Sequence, residues 1–255
     1  MKQREAAFEV AGRTAQKKKN MKNHGKRYSA ARKMVERTKH YKLGEAVETL
    51  KKLPATKFDQ TVDLAFHLGV DPKQSDQMVR GTCPLPHGSG KKVRVLVFAK
   101  GAAAQAAKDA GADFVGFDDL IKQVQGGWTD FDVAIATPEA MNDVRKLGKQ
   151  LGPKGLMPNP KTGTVTDDTA KAIKEVKAGR AEFKMDKAGN LHVPFGKMSF
   201  EAKAIEDNAR SVITAVMHAR PATAKGKFVE TCTLSSTMSP GFRIDISEFV
   251  IETTA

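Results

Sequence analysis

Phosphate binding is the chemistry that residues 88–92 suggest first, because Gly88-Ser89-Gly90-Lys91-Lys92 sets two glycines beside two lysines. A phosphate loop works only where it leaves a strand and opens a helix, so that backbone N–H groups and the helix N-terminus face the anion. Here the glycines precede the apolar run 93–99, and the GxxxxGK[ST] spacing is missing. After that run, Lys100-Gly101-Ala102-Ala103 lacks the glycine pattern of a dinucleotide site. A nucleotide-dependent enzyme is therefore the weaker alternative. The six histidines, His24, His40, His67, His87, His192 and His218, show no HExxH or other paired metal-ligand spacing, and no GxSxG elbow presents a nucleophile. His67 and His192, at the edges of strand-like runs, read as hydrogen-bonded structural groups, and Trp128, in a Gly-rich turn, as a core plug. Cys83 and Cys232 belong to no CxxC or Cys/His cluster and read as reduced fillers. The expectation is a protein with no catalytic residue, no metal and no cofactor.

Charge points to a partner instead. The chain carries a net +14, and residues 1–42 hold 14 Lys/Arg against 3 acids, a net +11, so the rest is nearly neutral. Such a surplus attracts polyanions, nucleic acid first among them. Lys17, Lys18, Lys19, Lys22, Lys26 and Arg27 form a basic run with few apolar residues, which reads as a polyelectrolyte arm or an idle solvated tail. A protein that coats DNA without specificity would be basic throughout, which this one is not. No apolar run approaches the roughly 20 residues needed to span a bilayer, and the N-terminus lacks a signal-peptide h-region, so a cytoplasmic protein is expected.

Aromatic residues make up only 6% of the chain, too few for extended base stacking interleaved with cations. Folded RNA can also be recognised by shape, through bonds to 2′-hydroxyls and phosphates from a flat surface of small polar residues. Thr56-Lys57-Phe58 and Ser235-Ser236-Thr237-Met238-Ser239-Pro240-Gly241 supply such groups. By residue type alone, each reads at least as well as an ordinary strand cap.

The elements that would position these groups follow from periodicity. Residues 28–37 are expected to be helical, and Leu43, Val47, Leu50 and Leu53 continue helical spacing until Pro54. Residues 58–69 read as a strand with Val62, Leu64, Phe66 and Leu68 on its apolar face. After a Pro/Gly-rich hinge at 84–90, apolar strands at 93–99, 114–117 and 133–136 alternate with helices at 102–110 and 120–124. That rhythm belongs to a small doubly wound unit whose parallel sheet is covered on both faces. A Gly/Pro-rich loop at 151–163 leads to a helix at 167–177 capped by Asp167 or Asp168. Strands 181–185 and 191–195 then flank a hairpin loop, 186–190. A long amphipathic helix carrying Phe200, Ile205, Ala209, Val212, Ile213 and Val216, a strand at 228–235 and an apolar tail ending near Ile251 complete the chain. The expected fold class is α/β with two domains. A split α+β domain comes from both chain ends, 21–87 and 179–255, a three-layer α/β domain is inserted at 88–178, and 1–20 is a basic extension, expected to be disordered.

Leu151-Gly152-Pro153-Lys154-Gly155-Leu156-Met157-Pro158-Asn159-Pro160-Lys161 resembles the signature of the family of the first protein of the large ribosomal subunit. The likeness extends through Ser75-Asp76-Gln77-Met78-Val79-Arg80-Gly81, Leu85-Pro86-His87-Gly88, Lys225-Gly226 and Ser236-Thr237-Met238. It covers roughly residues 21–245 and looks like the bacterial branch. The resemblance implies that the terminal domain binds the stalk region of large-subunit rRNA, and that a Rossmann-like inserted domain moves relative to it. It assigns RNA contacts to Lys57, Phe58, Thr61, Asp186, Lys187, Thr237 and Met238, with Thr231 and His192 as weaker positions. It also implies a ribosomal, cytoplasmic, non-enzymatic protein that is monomeric off the ribosome. Its further duties would be helping deacylated tRNA leave the exit site and repressing its own operon mRNA. The chain departs from the pattern at Ser239, where the family has glycine, in residues 1–20, and in the tail from Ile244.

Overall fold

Apolar residues at alternating positions 62, 64, 66 and 68 build a strand with one buried face, paired on both edges within the sheet contributed by the two ends of the chain. A computed structural model describes residues 25–224 and 226–249. The expected arm at 1–20, Lys225 and the tail end at Ile251 lie outside the described residues. The first elements are α1 (Lys26–Lys33), β1 (His40–Tyr41), α2 (Leu43–Lys51), β2 (Thr61–Leu68) and β3 (Arg80–Pro84). Farther along the chain come β7 (Arg180–Lys184), β8 (Asn190–Lys197), α8 (Ala202–His218), β9 (Val229–Ser236) and β10 (Phe242–Ile244). Strands β1, β10, β9, β2 and β8 form a five-stranded sheet in that order. Leu43, Val47 and Leu50 of α2, with Ile205, Ala209, Val212, Ile213 and Val216 of α8, cover one face of it in a single core that draws on both ends of the chain.

The middle of the chain builds a second, parallel sheet. Strands β4 (Val95–Phe98), β5 (Phe114–Gly116) and β6 (Val133–Ala136) pair in the order β5-β4-β6. Four consecutive buried residues in β4 serve two faces. Leu96 and Phe98 join a cluster with Leu120, Ile121 and Val124 of α4 (Asp118–Gln125), with Val144 of α5 (Met141–Val144) and with Leu151 of α6 (Gly148–Lys154). Val95 and Val97 pack on Ala107 of α3 (Gly101–Asp109) and on Ala172, Ile173 and Val176 of α7 (Thr169–Ala178). Asp168 caps α7 by accepting from Lys171 N at 3.1 Å. The α/β class and the sheet covered on both sides stand as read from the sequence.

Where the chain passes between the two sheets, β3 and β7 form an antiparallel ribbon, with Pro84 opposite Arg180. Leu85 N extends it by donating to Gly179 O at 3.1 Å. Gly179 has φ +98°, and a Cβ there would lie 2.7 Å from Gly88 Cα, so the outgoing and returning segments touch backbone to backbone. Asn208 of α8, fully buried, clamps the outgoing segment. It accepts from His87 N at 3.0 Å and donates to Gly88 O at 3.1 Å and to Phe195 O at 2.9 Å.

Several expectations need correcting. The first helix ends at Lys33 rather than Arg37, because buried Val35 turns the chain into the core. Strand β2 starts at Thr61 rather than Phe58. Thr56 Oγ1 bonds to Phe58 O at 2.7 Å and Asp59 holds Ser199, local bonds that compete with the ladder. Residues 151–154, read as loop, finish α6, with Pro153 in its last turn and Gly155 at φ +72° ending it. The strands flanking 186–190 are not partners of one ladder, since β7 pairs with β3 and β8 with β2. The apolar tail contains a further strand, β10. Trp128 is a half-buried rim residue, edge-on to Phe114 at 4.9 Å.

Candidate nucleic-acid interface

The two helices of the chain-end core, α2 and α8, lie on one face of the five-stranded sheet, and among the described residues no helix packs on the opposite face. Cross-strand registers array its side chains in rows. One runs His40, Arg243, Thr233, Ala65, His192; another runs Ser235, Asp63, Pro194; a third runs Thr231, His67, Asn190. Five of these eleven residues, Thr231, Thr233, Ser235, Asp63 and Asn190, are small polar groups, and the rest are three histidines, Arg243, Ala65 and Pro194.

At one end of the face, β2 and β9 finish in a reciprocal pair. Thr237 N donates to Thr61 O at 3.1 Å, and Thr61 N donates to Thr237 Oγ1 at 3.2 Å. Lys197 Nζ donates to Thr61 Oγ1 at 2.8 Å, so that hydroxyl serves the sheet as an acceptor and keeps its own proton to donate. Below the pair, buried Gln60 Oε1 accepts from Ser236 Oγ and from Met238 N, each at 3.0 Å, which fixes the Met238 backbone. Phe58 and Met238 stand 52% and 48% exposed beside this fixed backbone. Lys57 is exposed next to them. Ser239, where the family has glycine, causes no strain. Its φ is not positive, and its hydroxyl accepts from Ser236 N at 2.8 Å, closing the turn.

Asp186, Lys187, Thr231 and His192 lie toward the other end. Thr61 and His67 are six residues apart on β2, so roughly 20 Å separates the two groups. Asp186 Oδ1 accepts from Asn190 N at 2.7 Å and Ala188 N at 2.8 Å, and those N–H groups, Asn190 first, hold its carboxyl below the usual carboxylate range. Lys187 is exposed at the tip of the turn. Thr231 faces outward opposite His67, and His192 opposite Ala65. His67 is the hydrogen-bonded structural group expected of it, with Nδ1 2.8 Å from Asn190 Oδ1 and Nε2 3.5 Å from Glu230. His192 is instead exposed. Between them, partial burial raises the carboxyl of Asp63, with nearby His192 opposing the shift.

The signature residues stand apart from this face. Leu151 and Pro158 are buried, Leu156 and Met157 are half-buried against the parallel sheet's core, and Gly152, Pro153, Lys154 and Gly155 form an exposed crest. Two residues escaped sequence reading altogether: Arg243, which the alternation Phe242-Arg243-Ile244 could have shown, and Gln60, which carries no local signal. Two others were read for different roles, Arg27 as part of the basic run and His40 among histidines without a metal-ligand pattern. Arg27 Nη2 donates to Met238 O at 3.3 Å across 211 positions of sequence. Cys83 and Cys232 are free and buried, and burial pushes the Cys232 thiol up to about 12. Among the described residues no helix is long and apolar enough to cross a membrane, and no three His, Cys, Asp or Glu side chains gather as metal ligands.

A family model described as the Ribosomal protein L1p/L10e family matches residues 50–240, most of the chain and nearly all of both sheets. Members are structural, rRNA-binding proteins of the cytoplasmic ribosome, not enzymes. The polar rows on the sheet face opposite α2 and α8 agree with that role. This chain belongs to the Ribosomal protein L1p/L10e family.

Proposed function

We propose that the protein binds the stalk region of large-subunit rRNA through Lys57, Phe58, Thr61, Thr237 and Met238, with Asp186, Lys187, Thr231 and His192 as a second contact along the same sheet face. The observation that carries this reading is the Thr61–Thr237 pair, whose donors and acceptors are fixed before any partner arrives. Preorganised polar groups lose little entropy on binding and discriminate by shape, as recognition of folded RNA requires. The binding unit comprises 21–87 and 179–255, the inserted unit comprises 88–178, and the segments crossing at Gly88 and Gly179 act as the hinge. Residues 1–20 supply non-specific attraction. Off the ribosome the protein is a monomer.

On the ribosome, the inserted unit rides on the hinge as deacylated tRNA leaves the exit site. Off it, the same patch takes an operon mRNA site that mimics the rRNA, so the two RNAs compete. Filter binding across a salt series, with a stalk transcript against an unrelated duplex, tests the first claim. Specific binding requires a large affinity ratio at every salt concentration, and equal affinity for the two RNAs overturns it. Removing residues 2–20 should flatten the salt slope and leave the ratio intact. Unlabelled operon leader RNA should displace the stalk transcript in proportion to its own affinity, and failure to displace it removes the repressor role.

A further inference from the structure

Four large apolar side chains stand exposed among the described residues, and two of them, Phe58 and Met238, flank one cavity. It holds about 300 Å³ and lies where the five-stranded sheet ends against α1 and α2. Ala31, Leu50, Leu53, Ala55 and Met198 form apolar walls. Thr56, Gln60, Ser199, Ser236 and Ser239 supply polar edges, and Arg27 and Lys51 stand at its rim. Gln60, Ser236 and Met238 belong both to this cavity and to the Thr61–Thr237 patch, so the two are continuous.

We infer that this cavity receives one unpaired nucleobase of the bound RNA, turned out of its stack; the inference rests on the patch being the RNA site. The volume lies at the small end of ligand pockets, suited to a single ring system. Apolar walls with an aromatic ring at the mouth suit a flat base, whose faces stack on any aromatic side chain. A phosphate would lose its hydration against Leu50, Leu53 and Met198. The cations at the rim are placed for the backbone phosphates on either side of such a base. Arg27 is bonded to Met238 O and Lys51 Nζ to Phe200 O, so both are held at the mouth rather than inside it.

The test is a binding cycle using the full chain and stalk transcripts that carry an abasic site at each unpaired position in turn. One abasic transcript should bind about 5- to 150-fold more weakly than the intact RNA, the range expected for losing one stacked base. Ala55→Trp, a change at an exposed position, should plug the mouth. It should weaken the intact RNA to the same extent and leave that abasic RNA unaffected, while the melting temperature stays unchanged. Phe58→Ala should show the same pattern to a smaller degree. Full-strength binding by every abasic transcript, or losses from Ala55→Trp and the abasic site that multiply, would overturn the inference. Thr237→Ala separates this from failure of the patch, since it should weaken intact and abasic RNA alike. If it weakens neither, the RNA site lies elsewhere and the patch reading falls first.

Discussion

The five-stranded and three-stranded sheets are built from similar apolar residues, yet among the described residues helices cover one face of the first and both faces of the second. In β2 every second residue is buried, and the residues between, Asp63, Ala65 and His67, are half-buried on the opposite face. In β4 all four residues are buried, split between two helical layers. A sheet with a bare polar face can offer a rigid two-dimensional array of hydrogen-bonding groups. A sheet covered on both faces can present only its loops, as the crest at 152–155 does. Under the proposed function, recognition belongs to the first sheet and carriage to the second, and damaging each separately tests that division.

The largest effect is expected from core cavities. Phe98→Ala empties a fully buried site in the parallel sheet and should cost about 3–5 kcal/mol of stability in a urea melt. RNA affinity should stay within about twofold, as for distant, independent sites. Phe195→Ala, behind the bare sheet, should cost a similar amount of stability and abolish RNA binding. If Phe98→Ala abolishes binding too, the two units are not separable and the assignment fails. Next in size is Asn208→Ala, which strands the His87 N–H and the carbonyls of Gly88 and Phe195. A loss of about 3 kcal/mol is expected, with two unfolding transitions for the variant against the single one expected of wild type. One shared transition would mean that the junction is held by other contacts.

Thr237→Ala sharpens the same comparison from the ligand side. It should weaken stalk RNA binding by about 1–3 kcal/mol in filter binding, and shift stability by under about 0.5 kcal/mol because the side chain is exposed. Met238→Asp should weaken binding at least as much by setting a carboxylate against the phosphates.

How much of this was legible in the sequence depended on whether the information was local. Strand β6 and the cap at Asp168 were readable because four apolar residues, or one carboxylate ahead of a helix, carry their own signal. The partners of β7 and β8 were not, since two strands flanking a short turn look alike whether they pair with each other or with strands over 100 residues away. The site divided in the same manner. Family resemblance named Thr237 and Met238, but residue types alone could not tell them from a strand cap. Gln60 was not singled out and Arg27 was read only as part of a basic run, because the bonds by which they fix Met238 exist only once both chain ends meet.

The smallest effect concerns two carboxylates on the bare face that are shifted in opposite directions. The N–H groups of Asn190 and Ala188 favour ionised Asp186, so this residue stabilises its turn at every pH above the ordinary carboxylate value. That contribution disappears as pH falls through the depressed value. Partial burial disfavours ionised Asp63, so Asp63 takes up its proton at a higher pH than Asp186, and protonation there relieves the folded state instead of weakening it. Acidification from neutrality should therefore neutralise Asp63 first and remove one negative charge from the surface facing RNA. Stalk RNA binding should tighten modestly while the turn at 186–190 keeps its bonds. NMR titration of the two carboxyls, alongside affinity measured over the same range, checks the order. Should Asp186 titrate first, or Asp63→Asn leave the pH dependence of binding unchanged, the face does not discriminate between the two carboxylates in this way.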